Sequence, residues 1–390
     1  METAALITTC GHNIGDDMVR KGILYLLEET GRTYRPELIH KHFPVTVRKR
    51  CGWIHASGVT RVLDRISSRI NPHLSEVLDR LPINQRFDKI LSADLIVQCG
   101  APVFWCFDDG NGAHRNEWYV PLMIKRYKAF GRRVPFLNIG AGSCQPYGNN
   151  GSECSTNREC RAYISDLHAA ASLTVVRDPL AGNILSGLGL EAVLLPCPSL
   201  FARDRLNVDP GPSEYVAVNF MPLGGHYTLG QEINPARWRS EFGSFLRASS
   251  TSVRLVLACH TRHEFAVARR YFPDVPRRFL ATAEESLRFY SKASTFVGSR
   301  VHGAMAVASF GRPAFVAGND TRARTVEPIG CAHSFVEQTD AKSLETALSR
   351  MLNDAEHFAG RMEKIRKETY LRYMDIFSFL NEPVSGMAGA

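Results

Sequence analysis

The residue types that could do chemistry gather most densely at Ser299, Arg300 and His302, at the head of an alanine-rich run within TFVGSRVHGAMAVASFGRPAFVAGND, residues 295–320. Ser299 suits a helix N-cap, Gly311 the residue just past a helix, and Pro313 stops it. Met305, Ala306, Val307 and Ala308 leave no polar face, so the helix is expected to be buried. Its first turn carries cations at the positive end of the helix dipole, which costs a few tenths to about 1 kcal/mol. An anion at the same helix start reverses that sign, because free N–H groups and the two cationic side chains can converge on it. The stretch therefore reads as a phosphate or carboxylate site. The plainer alternative pairs Arg300 with a nearby Asp and makes His302 a satisfied core histidine.

Other candidates follow the same logic. Asn13, Gly15, Asp16 and Asp17 fall in a turn between an apolar run, Ala4 to Thr9, and a helix with Val19, Ile23, Leu26 and Leu27 at helical spacing. The two acids there also simply complement a helix dipole. Arg177 ends a strand-like run and precedes Asp178 as N-cap and Pro179 at the first helical position, where a structural ion pair is the competing reading. The loop Phe104 to Gly112, with Asp108, has the aromatic and acidic composition of a sugar platform and equally of a surface loop. His260 and His263 flank no zinc-type spacing, so a polar helix start is the better account of HTRHE. No metal site, P-loop or nucleophile elbow is expected.

Positioning these residues takes βα alternation in two sets. In the first, strands are expected at Ala93–Cys99, Val134–Ile139, Ser172–Val176 and Glu191–Leu195, with a glycine turn at Gly140–Ser143. Helices are expected at Gly58–Arg69, Pro72–Arg80, Asn116–Phe130 and Arg161–Ala171. The second set opens with a strand at Tyr215–Phe220 after the linker-like Asn207–Ser213. It ends in a long helix from about Ala355 to Phe379. Three units result: 1–206, 214–354, and a C-terminal helix and tail, 355–390.

Ser299-x-Arg300-x-His302-Gly303, the alanine-rich helix, Gly311-x-Pro313, a strand and then Asp320-Thr321-Arg322 together resemble the C-terminal signature of the polysaccharide pyruvyltransferase family. Asn13-x-Gly15-Asp16 is similar to its N-terminal hallmark. The resemblance implies an α/β, GT-B-like architecture of two Rossmann-like domains facing across a cleft, with a long C-terminal helix crossing back. It implies transfer of the enolpyruvyl group of phosphoenolpyruvate to two hydroxyls of one sugar, forming a pyruvate ketal with release of phosphate. On that basis the second domain is the donor side, and the donor is bound by Arg300, His302 and Arg322 together with Arg177 from the first domain. His302 protonates the donor's methylene carbon or the departing phosphate, and Asp16 accepts the hydroxyl proton. The first domain holds a sugar or lipid-linked saccharide acceptor through Asn13, Gly15, Asp16 and Asp108. The family often has Lys where Arg322 stands. No cofactor is implied beyond the donor itself. Two readings from other classes remain: a GT-B glycosyltransferase using a nucleotide sugar, with Glu327 on the ribose, and a non-catalytic anion-binding scaffold.

The whole chain suits this picture. Its 390 residues, 44% hydrophobic and 22% charged, are those of a globular protein of two domains. The net charge of +8 favours anionic substrates, and nucleic acid is not expected as the partner. Ten cysteines form no CxxC pair, and Cys154 and Cys160 are expected to stay reduced. The N-terminus lacks a basic region of the signal-peptide kind, and no apolar run nears the ~20 residues of a membrane span. A cytoplasmic location is expected, with any membrane association peripheral.

Overall fold

The computed structural model describes residues 1–9, 13–41, 47–49, 52–54, 90, 93–100, 102–106 and 134–381. The helices expected at 58–69, 72–80 and 116–130, and Asp108, lie outside that set.

In the first lobe the strands are β1 (Glu2–Thr8), β2 (Tyr34–His40), β3 (Val47–Lys49), β4 (Gly52–Ile54), β5 (Leu95–Cys99), β6 (Pro102–Phe104), β7 (Phe136–Ser143), β8 (Leu173–Val176) and β9 (Val193–Leu194). Its helices include α1 (Ile14–Glu29), α2 (Arg158–Ala170) and α3 (Pro179–Gly187). The parallel sheet runs β2-β1-β5-β7-β8-β9, with β6 on β7 and β3-β4 a separate antiparallel ribbon. Strand β2 is absent from the sequence reading because Arg35, Pro36 and Glu37 break its apolar pattern. It tolerates that proline as an edge strand of the sheet. The turn expected at Gly140–Ser143 is instead the end of β7. Gly140 sits at φ +66 and shifts the register there, and pairing then continues.

The second lobe repeats the plan: β10 (Tyr215–Asn219), α4 (Pro235–Ser249), β11 (Leu255–Cys259), α5 (Arg262–Tyr271), β12 (Arg277–Phe279), α6 (Ala283–Tyr290), β13 (Ala293–Gly298), α7 (Val301–Ser309), β14 (Ala314–Gly318), β15 (Ala332–Phe335), α8 (Ala341–Asn353) and α9 (Ala355–Phe377). Its parallel sheet is ordered β12-β11-β10-β13-β14-β15. In both sheets the chain winds outward from the first strand and then reverses, between β1 and β5 and between β10 and β13. Open α/β sheets bind ligands at such reversals, beyond the carboxyl ends of the strands.

One apolar cluster spans both lobes: Met18 and Val19 of α1 share it with Leu287 and Tyr290 of α6 and with Met305 of α7. Helix α9 crosses back to the first lobe, where Tyr373 and Phe377 are fully buried. There Arg366 forks onto Asp204 at 3.0 and 2.8 Å, and the Tyr370 hydroxyl donates to Glu29 at 2.7 Å. A buried polar clasp also joins the lobes. Thr321 Oγ1 lies 3.1 Å from Ser143 Oγ and accepts from the Gln145 N–H at 2.9 Å, while its own N–H donates to the Gln145 carbonyl at 3.0 Å. No helix among the described residues is long and apolar enough to cross a membrane.

Candidate active site

The two reversals face each other, and the residues after β1 and β13 line one cavity of about 240 Å³. Asn13, Gly15, Asp16 and Arg177 reach it from the first lobe, and Arg300, His302 and Arg322 from the second. A larger recess of about 560 Å³, lined by Tyr25, Phe201, Arg366 and Tyr370, shares none of these residues. Within it Arg203 and Arg366 both pair with Asp204, and Glu29 accepts from the Tyr370 hydroxyl.

Helix α1 starts as its sequence directs. Asn13 is the N-cap, its Oδ1 accepting from the Gly15 N–H at 3.0 Å. The two acids of the first turn then diverge in role: Asp17 pairs with Arg20, one turn on, and Asp16 is buried facing the cavity. Burial pushes the Asp16 carboxyl up, but Lys41 foremost, with Arg177, outweighs it and holds the pKa below the usual value. Lys41, itself buried, is a site residue that the sequence reading missed, because it stands at the end of the unforeseen β2.

Helix α7 departs from expectation by one residue. Arg300, not Ser299, is its N-cap, and no side chain caps it. Among the described residues the buried hydroxyl of Ser299 has no partner, nor has Nε2 of His302. A helix start of this kind leaves donors for an incoming anion. Gly15 lets α1 come this close, since a Cβ there would stand 2.1 Å from His302 Nδ1. Burial first, and then Arg177, push the His302 pKa down to about 3. The imidazole is therefore neutral at physiological pH, which corrects any picture of a standing cation at this position.

The arginines divide sharply. Arg300 is engaged by Glu264, which accepts from its Nε at 3.1 Å, and its NH1 lies 2.7 Å from His226 Nε2. The expected ion pair is thus made with a glutamate 36 residues away, not with a nearby Asp. Glu264 also accepts from the His260 N–H at 3.0 Å and from Asn219 at 3.1 Å. Burial pushes its carboxyl up, but Arg300 outweighs it and brings the pKa down to about 2. Arg322 forks onto Asp320 at 2.8 and 2.5 Å and lies over the Tyr227 ring.

Arg177 has no such partner. It is 3% exposed, donates to the Gly100 carbonyl at 3.3 Å, leaves Nε unbonded, and meets no carboxylate at ion-pair distance among the described residues. The adjacent Asp178 is taken up by Ser143 and by capping α3. Gly142 makes room for the guanidinium, because a Cβ there would lie 2.7 Å from Arg177 Nε. Asp16 and Asp178 act on it only through space and no carboxylate among the described residues closes on its Nε, so the guanidinium keeps donor capacity for an incoming anion. Among the described residues, the structural ion pair offered as the alternative for Arg177 is not formed.

An aromatic corner closes the cavity from both lobes. Trp105 meets Tyr227 edge-on at 5.5 Å, and both line it. Glu327, the candidate ribose ligand, instead accepts from Arg324 at 3.0 Å and His333 at 2.8 Å, and the cavity lining does not include it. Among the described residues no group of three His, Cys, Asp or Glu side chains is arranged to hold a metal, and the described cysteines are free thiols.

Residues 13–321 match the family described as polysaccharide pyruvyl transferase. No curated protein matches the chain. Solved structures share its fold at low identity. The S. aureus MnaA co-structure with UDP is 13% identical over 98% of this chain and 97% of that one, with a TM-score of 0.56. The UDP-GlcNAc 2-epimerase from Neisseria meningitidis, bound to UDP-GlcNAc, is 10% identical over 95% and 100%, at 0.50. The glycotransferase of kitacinnamycin is 14% identical over 97% and 98%, also at 0.50. The shared architecture is the GT-B arrangement of two α/β lobes.

Proposed function

The chain belongs to the polysaccharide pyruvyl transferase family, and from that premise we propose that it moves the enolpyruvyl group of phosphoenolpyruvate onto two hydroxyls of one sugar. The product is a pyruvate ketal, and inorganic phosphate is released. The observation that carries this reading is Arg177, a buried guanidinium with no carboxylate at ion-pair distance among the described residues, facing a helix start where the Ser299 hydroxyl and His302 Nε2 are also without a partner among them. Three unsatisfied groups from two lobes call for one small, multiply charged acid.

In this scheme Arg177 anchors the donor, and Arg300 and Arg322, held by Glu264 and Asp320, shape the pocket around its phosphate and carboxylate. The methylene carbon gains a proton, the first sugar hydroxyl adds to the adjacent carbon and gives its proton to Asp16, and the second hydroxyl forms the other C–O bond as the C–O bond to phosphate breaks, its proton leaving with the phosphate. His302 is the proton donor once the bound anion offsets Arg177. Asn13, Gly15 and Trp105 lie on the acceptor side. The acceptor is a saccharide or lipid-linked saccharide, the setting is the cytoplasm, and the reaction needs no metal, so a chelator leaves turnover intact.

Thermal shift with phosphoenolpyruvate, set against UDP-sugars, tests the donor. Stabilisation by phosphoenolpyruvate, followed by phosphate release with a panel of saccharides, is expected. Stabilisation by UDP-sugars alone favours a glycosyltransferase on the same fold, and stabilisation by both without turnover favours a binding protein.

A further inference from the structure

Outside the cleft, charge is distributed unevenly. Residues 237–280 hold nine arginines and no lysine against three acids, a surplus of six within a chain whose net charge is +8. One of those acids, Glu264, is buried in the cleft with Arg300, and a second, Glu241, accepts the Ala341 N–H at 2.9 Å. Among the described residues only Arg237 of the nine forms an ion pair, with Glu337 at 3.5 Å. Eleven of the seventeen other described arginines do so. Among the described residues, arginines elsewhere are mostly paired with acids, and those of this part are mostly not.

The open arginines lie together on α5 and the edge strand β12, beside α4. Arg262, Arg269, Arg270 and Arg278 are exposed. Two aromatic rings stand out among them: Tyr271, 37% exposed with Arg239 and Arg270 over its ring, and Phe279, 39% exposed with Arg262 over it. The inner side of α5 is anchored by the buried Ala268 and by Phe265, packed on the second-lobe core.

We propose that this outer edge of the second lobe docks on an anionic lipid bilayer. Phosphodiester headgroups match the forked geometry of arginine, and clusters of four to eight basic residues beside amphipathic segments bind such surfaces. Exposed rings among guanidiniums suit the depth profile of a bilayer, with the ring at the acyl boundary and the charge at the phosphates. The surface is continuous with the cleft, because Arg262 follows two residues after His260, which lines the cavity. Docking there would hold the cleft mouth near the membrane. This inference rests on charge and exposure and is independent of the reaction proposed above.

Co-sedimentation of the full chain with phosphatidylglycerol–phosphatidylcholine vesicles, against phosphatidylcholine alone, tests it. Binding to the anionic vesicles at low salt and release at high salt are expected. The triple variant Arg262→Glu, Arg269→Glu, Arg270→Glu is expected to bind on the order of a hundredfold more weakly, with an unchanged melting temperature. The same three positions as Gln should weaken binding less, and serve if the Glu variant misfolds. No binding of the wild type overturns the proposal, as does undiminished binding of both variants. Equal binding to dextran sulfate, with loss of vesicle binding in its presence, would assign the surface to soluble polyanions instead.

Discussion

Arg177 and Arg300 reach the same cavity in different electrostatic states, and substitution should expose the difference. Arg300 is held by Glu264 before any ligand arrives, whereas Arg177 meets no carboxylate at ion-pair distance among the described residues and leaves Nε unbonded. Arg177→Met should therefore weaken phosphoenolpyruvate binding by about tenfold to over a hundredfold, the range of a charge-assisted pair of roughly 1.5–3 kcal/mol. The same change should leave the ligand-free protein as stable or more so, because it removes a buried charge that closes no ion pair among the described residues. Arg300→Met should do the reverse, lowering the melting temperature by stranding Glu264. Calorimetry and thermal melts on both variants check the pair. At His302 the test is a proton count. Burial and then Arg177 push the imidazole down to about 3. If it is the acid of the donor complex, binding must raise that value, and protons must be taken up at pH 6. Titration calorimetry in buffers of different ionisation enthalpy should show the uptake, and His302→Gln should abolish it. Buffer-independent binding would make His302 a neutral ligand and move the acid elsewhere.

At the scale of elements, the site is made by two helix starts, α1 and α7, brought end to end by their sheet reversals. Gly15 sets how closely they approach, as a Cβ would overlap His302. Gly15→Ala should displace the imidazole, lowering turnover by about a hundredfold to ten-thousandfold, the range of a lost general acid. Binding of the donor on Arg177 should change less. A kinetic split of kcat against the donor's Kd measures this, and loss of binding alone would contradict it.

Across the whole molecule, the cleft concentrates histidines held neutral by burial and by neighbouring cations: His260 is pushed down to about 4 and His302 to about 3. An unfolded histidine binds its proton near pH 6.5, so between that value and the folded pKa the unfolded chain binds more protons. Stability from these groups is complete above about pH 6.5 and is lost as pH falls toward 4. For the buried His260 alone, the loss by pH 5 is about 2 kcal/mol. Melting temperatures should drop from pH 7 to pH 5, and His260→Gln should flatten that slope. An unchanged slope would place the sensitivity elsewhere.

The sequence by itself determined what is local. The βα alternation, the N-caps Asn13 and Asp178, Pro179 at the start of α3, the buried character of α7 and the long last helix are each set within a few residues, by hydrophobic period and capping chemistry. The family signature also marked residues in both lobes that line one cavity. Tertiary structure alone decided their electrostatic roles, because the partners are remote in sequence. Glu264 takes Arg300 from 36 residues away, and Trp105 meets Tyr227 across the cleft. Lys41 reaches Asp16 from a strand whose Pro36 hides it from any pattern of alternation. Which arginine keeps its charge free for an anion depends on who else is within 4 Å, and periodicity carries no information about that distance.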